Sequence, residues 1–437
     1  MPNVMADAKH HMVDIVTSQM NDGELVSLVG SCFDHSLPDT LQWLDDGTAY
    51  VATGDIPAMW LRDSSCQVRH LLPLVGEVPG VDDLIVGVLR RQMRCIELDS
   101  YANAFNGTPN NAGHNEDLPH SSPWVWERKY EVDSLAHPFH LGYLLSCLTG
   151  RVDWFDDHAA AAARAMVATV RAEQDHDACS TYRFTRPDPP VASDTLIRHG
   201  LGPQTAHTGL TWSGFRPSDD ATQYGFNIPG NAFAAVVLGE MADTLDALGI
   251  EDDTVRSARR ISAQIMAALA TYGKFTDPNV GDAWWYEVDG KTGALFMDDA
   301  NVPSLLALPM LGVCAVDDPV YLATRSLILS PENPYYFAGK HGAGVGSPHT
   351  PSGHIWPIAL CVQGLTATSV NEQASILQQL VRSAAGTGVM HESFSVDDPL
   401  VFTREWFAWA NAMFCELVLA MCGRPILVPP LSKACHA

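Results

Sequence analysis

The sequence is poor in basic residues. Its 437 residues include 26 Lys and Arg against 51 Asp and Glu, which gives a formal net charge of -25 at pH 7. Nucleic acids and anionic membranes are bound through basic patches that neutralise phosphate, so this imbalance argues against both as partners. An uncharged ligand such as a sugar would not be repelled by an acidic surface.

Long apolar runs are also absent from the sequence. No stretch approaches the roughly 18 uncharged apolar residues of a membrane-spanning helix, and residues 1–20 lack the apolar core of a signal peptide. The ten cysteines form no CxxC pair or Cys/His metal spacing, and most lie in apolar stretches as small hydrophobes. These features predict a cytoplasmic protein in a reducing compartment.

Four common catalytic motifs are missing as well. The sequence contains no GxGxxG before a helix, no GxxxxGK[ST], no HExxH and no GxSxG. Their absence argues against dinucleotide, nucleoside-triphosphate, zinc-protease and serine-hydrolase chemistry. The loops instead concentrate carboxylates, aromatic residues and Arg, a set that suits glycoside hydrolysis by two carboxylates.

Apolar residues recur at helical spacing through the whole chain, whereas alternating strand patterns are few, the clearest lying near 48–52 and 283–297. Helices are predicted near 9–20, 61–74, 82–100, 133–148, 155–175, 231–248, 252–272, 301–312, 318–330, 354–366, 371–385 and 405–422. About a dozen helices predict an all-α closed toroid of helical hairpins. No low-complexity linker divides the chain, so we expect one domain over residues 1–437.

The first polar loop that could carry chemistry spans residues 53–65. Asp55, Arg62 and Asp63 stand there beside Trp60. In a purely structural interpretation, Asp55 caps a helix and Arg62 forms an ion pair with Asp63. In a functional one, the aromatic face packs on a sugar ring while Arg and Asp bind its hydroxyls.

A second loop carries aromatic and acidic residues together: His114, Trp124, Trp126, Glu127 and Asp133. One Trp in a loop usually packs locally, but two beside several carboxylates favour a ligand-binding cavity mouth.

A third loop, residues 211–226, contains Arg216 and the adjacent pair Asp219 and Asp220 before a predicted helix. Because adjacent side chains point in different directions, one aspartate could serve chemistry while the other caps the helix.

Two further loops complete the set of candidates. Glu392 lies in a loop bounded by Gly and Ser, beside His391, and the loop 346–357 contains His349 and His354. Without a third ligand in the pattern, these histidines do not predict a metal site.

Five of these segments together resemble glycoside hydrolase family 125: TGDIPAMWLRDSS, TWSGFRPSDDA, GHIWP, MHESF and FTREWFAWANAMFCEL. The resemblance extends over about residues 50–420. It implies an (α/α)6 barrel that removes α-1,6-linked mannose from chain ends, with inversion and without a metal ion or other cofactor. The expected partner is a mannose-containing oligosaccharide.

The resemblance also implies roles for individual residues. It gives Glu392 as the general base and Asp219 as the general acid, with Asp220 as the alternative. Burial beside other carboxylates would raise the pKa of the acid, and inversion would place the two carboxyl groups about 6.5 to 9.5 Å apart. The implied substrate-binding residues are Asp55, Arg62, Asp63, His114, Trp124, Arg216 and His354.

Three alternatives remain open at the level of sequence. A terpenoid cyclase would use Asp-rich helices to hold magnesium, but the two Asp-Asp pairs, at 219–220 and 298–299, lack a further acidic residue at the fifth position. Another helical-toroid glycosidase, such as a glucosidase, would differ in how it reads the ring hydroxyls. A non-catalytic glycan-binding protein would keep the aromatic residues without a carboxylate that positions water.

Overall fold

The computed structural model describes residues 4–250 and 252–427, and helices dominate it. The helices are α1 (Val4–Met20), α2 (Gly23–Asp34), α3 (Leu61–Arg69), α4 (Val81–Leu98), α5 (Val132–Thr149), α6 (Asp157–Glu173), α7 (His176–Cys179), α8 (Ile197–Gly200), α9 (Ile228–Ala247), α10 (Asp253–Tyr272), α11 (Pro319–Ile328), α12 (Pro357–Leu365), α13 (Val370–Ser383) and α14 (Ala408–Met421).

Five of these helices, α3, α5, α9, α12 and α14, are buried around most of their circumference. They pack side by side in the order α14, α3, α5 and α9, and α12 packs on the other side of α14. More amphipathic helices cover them from outside: α2 lies on α14, α4 on α5, α10 on α9 and α13 on α12. A helix that is buried all round requires neighbours on every side, which explains the two-layer arrangement.

Helix α9 shows how local sequence sets the start of a buried helix. The Asn227 side chain accepts a hydrogen bond from the Gly230 amide at 2.8 Å, and Pro229 occupies the first turn, where its missing N–H costs nothing. The side chains that follow, from Phe233 to Leu245, are almost all buried. The cap fixes where the helix begins, and burial of its apolar surface stabilises the rest.

Fifteen short strands form small sheets beside the helices in the described residues. The strands are β1 (Leu41–Trp43), β2 (Ala49–Val51), β3 (Met59–Trp60), β4 (Ala104–Phe105), β5 (Val125–Glu127), β6 (Phe226–Asn227), β7 (Lys274–Asp277), β8 (Gly281–Trp284), β9 (Glu287–Val288), β10 (Ala294–Leu295), β11 (Tyr336–Ala338), β12 (Ala343–Val345), β13 (His354–Ile355), β14 (Ser393–Ser395) and β15 (Phe402–Thr403).

The strands are arranged in a way that matters for the site. Each of the five buried helices follows a strand in the chain: β3 precedes α3, β5 precedes α5, β6 precedes α9, β13 precedes α12 and β15 precedes α14. Antiparallel pairing ties these strands into the sheets β3-β4-β5, β6-β9-β10 and β13-β14-β15. The polar loops of the sequence are therefore held by short ladders next to the starts of the buried helices.

Most of the predicted helices are confirmed within a few residues at each end, but the helix predicted over 301–312 is wrong. That segment forms turns, because Pro303 and Pro309 lack the amide hydrogens that a helix needs. The sequence also missed α2, the four-residue helices α7 and α8, and most of the strands. The strands are only two to four residues long and too short to show alternation. Within the described residues, no helix has the length and apolar character needed to cross a bilayer.

His70, at the end of α3, is a polar group in the core. It has no exposed surface, and neither ring nitrogen has a hydrogen-bond partner within the part of the chain that the structure describes. Its ring meets Phe33 edge to face, with the centroids 5.5 Å apart. Burial lowers the pKa of His70 from 6.5 to about 4, so the core holds a neutral imidazole.

His70 should make the fold sensitive to acid. Its pKa is lower in the folded than in the unfolded chain, so the stability linked to the neutral ring is complete above about pH 6.5 and declines as the pH falls towards 4. The full loss corresponds to about 3 kcal/mol of the free energy of unfolding.

We expect His70→Leu to reduce the difference between the urea midpoints at pH 7 and pH 4.5. His10→Leu is the control, since the His10 side chain is 80% exposed. An equal acid sensitivity in both variants would contradict the assignment.

Candidate active site

Two adjoining cavities lie where the polar loops converge. The inner one has a volume of about 50 Å³ and the outer one about 420 Å³. Six residues line both cavities: Ile56, Trp60, Asp219, His349, Glu392 and Arg404. The shared lining places the predicted acid and the predicted base at the junction of a narrow pocket and a wider mouth.

Asp219 reaches the cavities through an unusual backbone conformation. Its φ of +67° is left-handed, a region that residues other than Gly seldom occupy and that often marks functional sites. A tight turn holds this conformation, because the Asp219 amide donates to the Arg216 carbonyl at 2.9 Å and the Arg216 amide donates to the Asp220 carbonyl at 2.8 Å. The turn directs Asp219, and not Asp220, to the lining of the cavities.

Asp220 points elsewhere. Its side chain is buried, with Oδ2 3.5 Å from the Ser218 hydroxyl and 3.7 Å from Nδ1 of His349. The prediction that one member of the pair caps a helix is wrong, because α9 begins at Ile228 and is capped by Asn227. The two aspartates differ instead in exposure: the Asp219 side chain is 26% exposed and the Asp220 side chain 6%.

Glu392 directly precedes β14 and is held by its neighbour β15. Its amide donates to the Arg404 carbonyl at 3.2 Å, and its Oε1 accepts a hydrogen bond from Nη1 of Arg404 at 3.3 Å. Arg404 also donates from Nε to Asp55 at 3.1 Å. Asp55 therefore does not cap a helix but is linked to Glu392, the predicted base, through Arg404. His354, paired in the same sheet, is buried and lies 3.0 Å from the Ser393 hydroxyl, without lining either cavity.

Arg62 organises the floor of the inner cavity. It is the second residue of α3, and its Nη1 donates to Glu131 at 2.6 Å and to Asp133 at 3.1 Å. Its Nε lies 3.5 Å from Asp63, as the ion-pair interpretation of the sequence predicted, and its Nη2 lies 3.7 Å from Asp219. One buried cation thus lies within 4 Å of four carboxyl groups.

The pKa of Asp219 does not follow the sequence-based expectation. Burial raises it, but the hydrogen bond with Glu131 and the charges of Lys129, Arg62 and His349 outweigh burial, so the pKa of Asp219 lies well below its ordinary value. Complete burial raises the pKa of Glu131 far above its ordinary value. The negative charge of Asp219 and the hydrogen bond to it raise the pKa of Glu131 further. The surroundings thus shift the two pKa values in opposite directions, down for Asp219 and up for Glu131.

His349 adds a positive charge at the junction of the two cavities. Burial alone would lower its pKa, but the contact with Asp220 and the charges of Asp219 and Glu392 raise it to about 9. At neutral pH the ring is therefore an imidazolium that faces both predicted catalytic carboxylates. The sequence pattern raised His349 only as a metal ligand, and it did not support that role.

The remaining predicted binding residues are separated by the structure. His114 lines the outer cavity together with Trp126. Trp124 lines a different cavity of about 250 Å³, where the Arg91 guanidinium lies 5.2 Å from its ring centroid. Arg216 is buried and bound through Nε to Glu287 at 2.5 Å, so it supports the Asp219 turn from behind and lines neither catalytic cavity.

Arg404 and Glu131 are site residues that sequence reasoning did not single out. Both lie in segments rich in charged and aromatic residues, but a contact between positions 404 and 55, or 131 and 219, leaves no periodic signal in a sequence. Within the described residues, no group of three or more His, Cys, Asp or Glu side chains is arranged to hold a metal ion.

Known proteins resemble this chain in both sequence and fold. The sequence profile of the metal-independent α-mannosidases (GH125) matches residues 22–419. The meiotically up-regulated gene 157 protein of Schizosaccharomyces pombe is 37% identical over 435 residues, covering 94% of this chain and 85% of that protein. A solved metal-independent α-mannosidase of Streptococcus pneumoniae, in a non-productive complex with α-1,6-mannobiose, is 46% identical. It superposes with a TM-score of 0.93 over 95% of this chain and 98% of that one.

A bacterial glucoamylase complexed with acarbose shares the fold alone. Its TM-score is 0.57 at 12% identity, over 94% of this chain and 56% of that chain. The predicted (α/α)6 barrel is thus confirmed by two solved structures of that architecture. With the family profile matched over almost the whole chain, this protein belongs to glycoside hydrolase family 125, the metal-independent α-mannosidases.

Proposed function

We propose that this α-mannosidase releases terminal, non-reducing α-1,6-linked mannose from oligosaccharides and inverts the anomeric configuration. The observation that carries the proposal is the convergence of Asp219 and Glu392, from loops more than 170 positions apart, on the junction of the two cavities. The outer cavity, of about 420 Å³, is large enough for sugar units, and it adjoins the narrow inner pocket at the two carboxyl groups. The α-1,6-mannobiose bound by the streptococcal relative supports the linkage.

The inner cavity has the chemistry that a sugar ring requires. Its apolar walls are large aromatic side chains, namely Trp60, Trp356, Phe407 and Trp409. Its polar groups include Arg62, Asp63 and Asn301. Aromatic faces pack against the C–H faces of a pyranose, while charged and amide groups bind its hydroxyls in defined directions.

In the proposed mechanism, Asp219 protonates the glycosidic oxygen as the bond to C1 breaks. Glu392, oriented by Arg404, draws a proton from a water molecule that attacks the opposite face of C1. The water forms the new bond to C1, and the configuration inverts. This geometry requires about 6.5 to 9.5 Å between the two carboxyl groups, which leaves room for the water.

The roles of acid and base can be separated by the leaving group. We expect Asp219→Asn and Glu392→Gln each to lower kcat on α-1,6-mannobiose about 100- to 10,000-fold. Asp219→Asn should retain most of its activity on 2,4-dinitrophenyl α-mannoside, whose leaving group needs no proton, whereas Glu392→Gln should not. Asp220→Asn is the matched comparison: if it, and not Asp219→Asn, shows this dependence on the leaving group, then Asp220 is the acid.

Specificity and stereochemistry can be read from one assay. In the presence of EDTA, the wild-type protein should hydrolyse α-1,6-mannobiose faster than the α-1,2 and α-1,3 isomers. Proton NMR should show β-mannose before mutarotation produces the α anomer. Initial release of α-mannose would indicate retention, and preference for another linkage would refute the 1,6 assignment. Tight binding of mannobiose without any release would favour a non-catalytic glycan-binding protein.

The position of His114 in the outer cavity predicts a role in binding the sugar on the reducing side. Loss of one hydrogen bond in His114→Ala should raise KM for α-1,6-mannobiose about three- to tenfold. Trp124→Ala should leave KM unchanged, because that ring lines a separate cavity. The opposite result for the two variants would mean that the substrate extends over Trp124 instead.

A further inference from the structure

Glu131 is the most enclosed carboxyl group near the proposed acid. It immediately precedes α5, and its side chain has no exposed surface. Its Oε2 accepts hydrogen bonds from Nη1 of Arg62 at 2.6 Å and from the Ser134 hydroxyl at 2.9 Å. It lines neither cavity, so a sugar bound there would not touch it.

Glu131 and Asp219 nevertheless form a pair. Nδ2 of Asn103 lies 3.4 Å from Oε1 of Glu131 and 3.2 Å from Oδ1 of Asp219, so the amide holds both carboxyl groups together. The two carboxyl groups are also hydrogen-bonded to each other. Since ionised carboxylates only accept hydrogen bonds, this contact requires a proton on one of them.

The charges around the pair require that proton as well. Arg62 is the cation within 4 Å of Asp63, Glu131, Asp133 and Asp219. The charged groups that face the pair from the surrounding elements are Arg62 and Asp63 on α3, Asp133 on α5, Glu127 and Lys129 at and after β5, and His349. Lys129 already contacts Glu127 and Asp194. One guanidinium does not neutralise four carboxylates, of which Asp63, Glu131 and Asp133 are buried, so the cluster retains a proton.

We propose that Glu131 is the positioning residue that stores the proton of the general acid and passes it to Asp219 during glycoside cleavage. The inference rests on the function proposed above. In the resting state, Glu131 is protonated and hydrogen-bonded to ionised Asp219. As a glycosidic oxygen binds beside Asp219, the proton moves from Glu131 to Asp219 and on to that oxygen while the bond to C1 breaks.

The proton balance of the cycle is then complete. The pair gives one proton to the leaving sugar, and Glu392 takes one from the water that forms the new bond to C1. After the products leave, Glu392 releases its proton to solvent and the pair takes one up. Asp219 alone would be a poor acid at neutral pH, because Arg62, Lys129 and His349 favour its ionised form. A proton held on Glu131 removes this difficulty.

Glu131 is better suited to hold the proton than its neighbours. Arg62 donates to both carboxyl groups, at 2.6 Å to Glu131 and 3.1 Å to Asp133, so this contact does not distinguish them. Burial raises the pKa of Asp133 only to about 6. Glu131 is raised much further by the same burial and by its contact with Asp219.

The test is a pH profile for Glu131→Gln. The amide keeps the size of the side chain and a hydrogen-bond donor to Asp219 but cannot release a proton. We expect kcat on α-1,6-mannobiose to fall about tenfold or more with KM nearly unchanged, and the alkaline limb to move down by about one pH unit. Activity on 2,4-dinitrophenyl α-mannoside should remain close to wild type. Glu131→Asp, which restores a carboxyl group, should recover part of the lost kcat.

Glu240→Gln is the matched control, since Glu240 is also a buried carboxyl group, bound to His140 at 2.9 Å between α5 and α9. Its pH profile should match the wild type even if its stability is lower. A wild-type profile for Glu131→Gln, or an equal loss on both substrates, would reduce Glu131 to a structural role and overturn the inference.

A second measurement needs no turnover. The infrared spectrum of the wild-type protein at neutral pH should contain a protonated-carboxyl C=O band that is missing from Glu131→Gln and present in Glu240→Gln. Identical bands in the wild type and Glu131→Gln would refute proton storage whatever the activity. If the wild type shows the band but hydrolyses no mannoside, the proposed function fails while the protonated pair stands.

Discussion

The contact of the buried Arg62 guanidinium with four carboxyl groups is the interaction on which the site depends. A planar cation with several donors can bind Glu131 and Asp133 directly and still face Asp63 and Asp219, which the compact ammonium of a lysine could not do. Without it, the like charges would repel one another, and the loops that carry them would separate. Arg62 therefore fixes the relative position of α3, α5 and the Asp219 turn.

A strained turn and a short sheet then complete the site. The left-handed backbone at Asp219 separates two adjacent aspartates, so that one reaches the cavities and the other contacts Ser218 and His349. On the other side, the β14-β15 pair sets Glu392 beside Arg404. The buried helices give this arrangement a rigid base, because they are covered by a second helical layer. Precise placement of polar groups by a packed scaffold is what catalysis by electrostatic preorganisation requires.

The contrast between the proposed acid, Asp219, and the proposed base, Glu392, follows from their surroundings. Asp219 lies in a network of charges beside Glu131, whereas Glu392 contacts a guanidinium and the wider cavity. One fold can provide both an acid and a base at the same pH when the surroundings of two carboxyl groups shift their pKa values apart.

The sequence by itself determined most of the helices, the shortage of basic residues, and the carboxylates and aromatic residues of the site loops. Helical periodicity and residue chemistry are local properties. It determined Asp219 and Glu392 as candidates through segments that resemble a known family. The tertiary structure alone decided that Asp219 and not Asp220 lines the cavities, and that Trp124 lies in a separate one. It also decided that Glu131 and Arg404 belong to the site. These outcomes depend on a backbone turn and on contacts between residues up to 349 positions apart, for which a single sequence carries no signal.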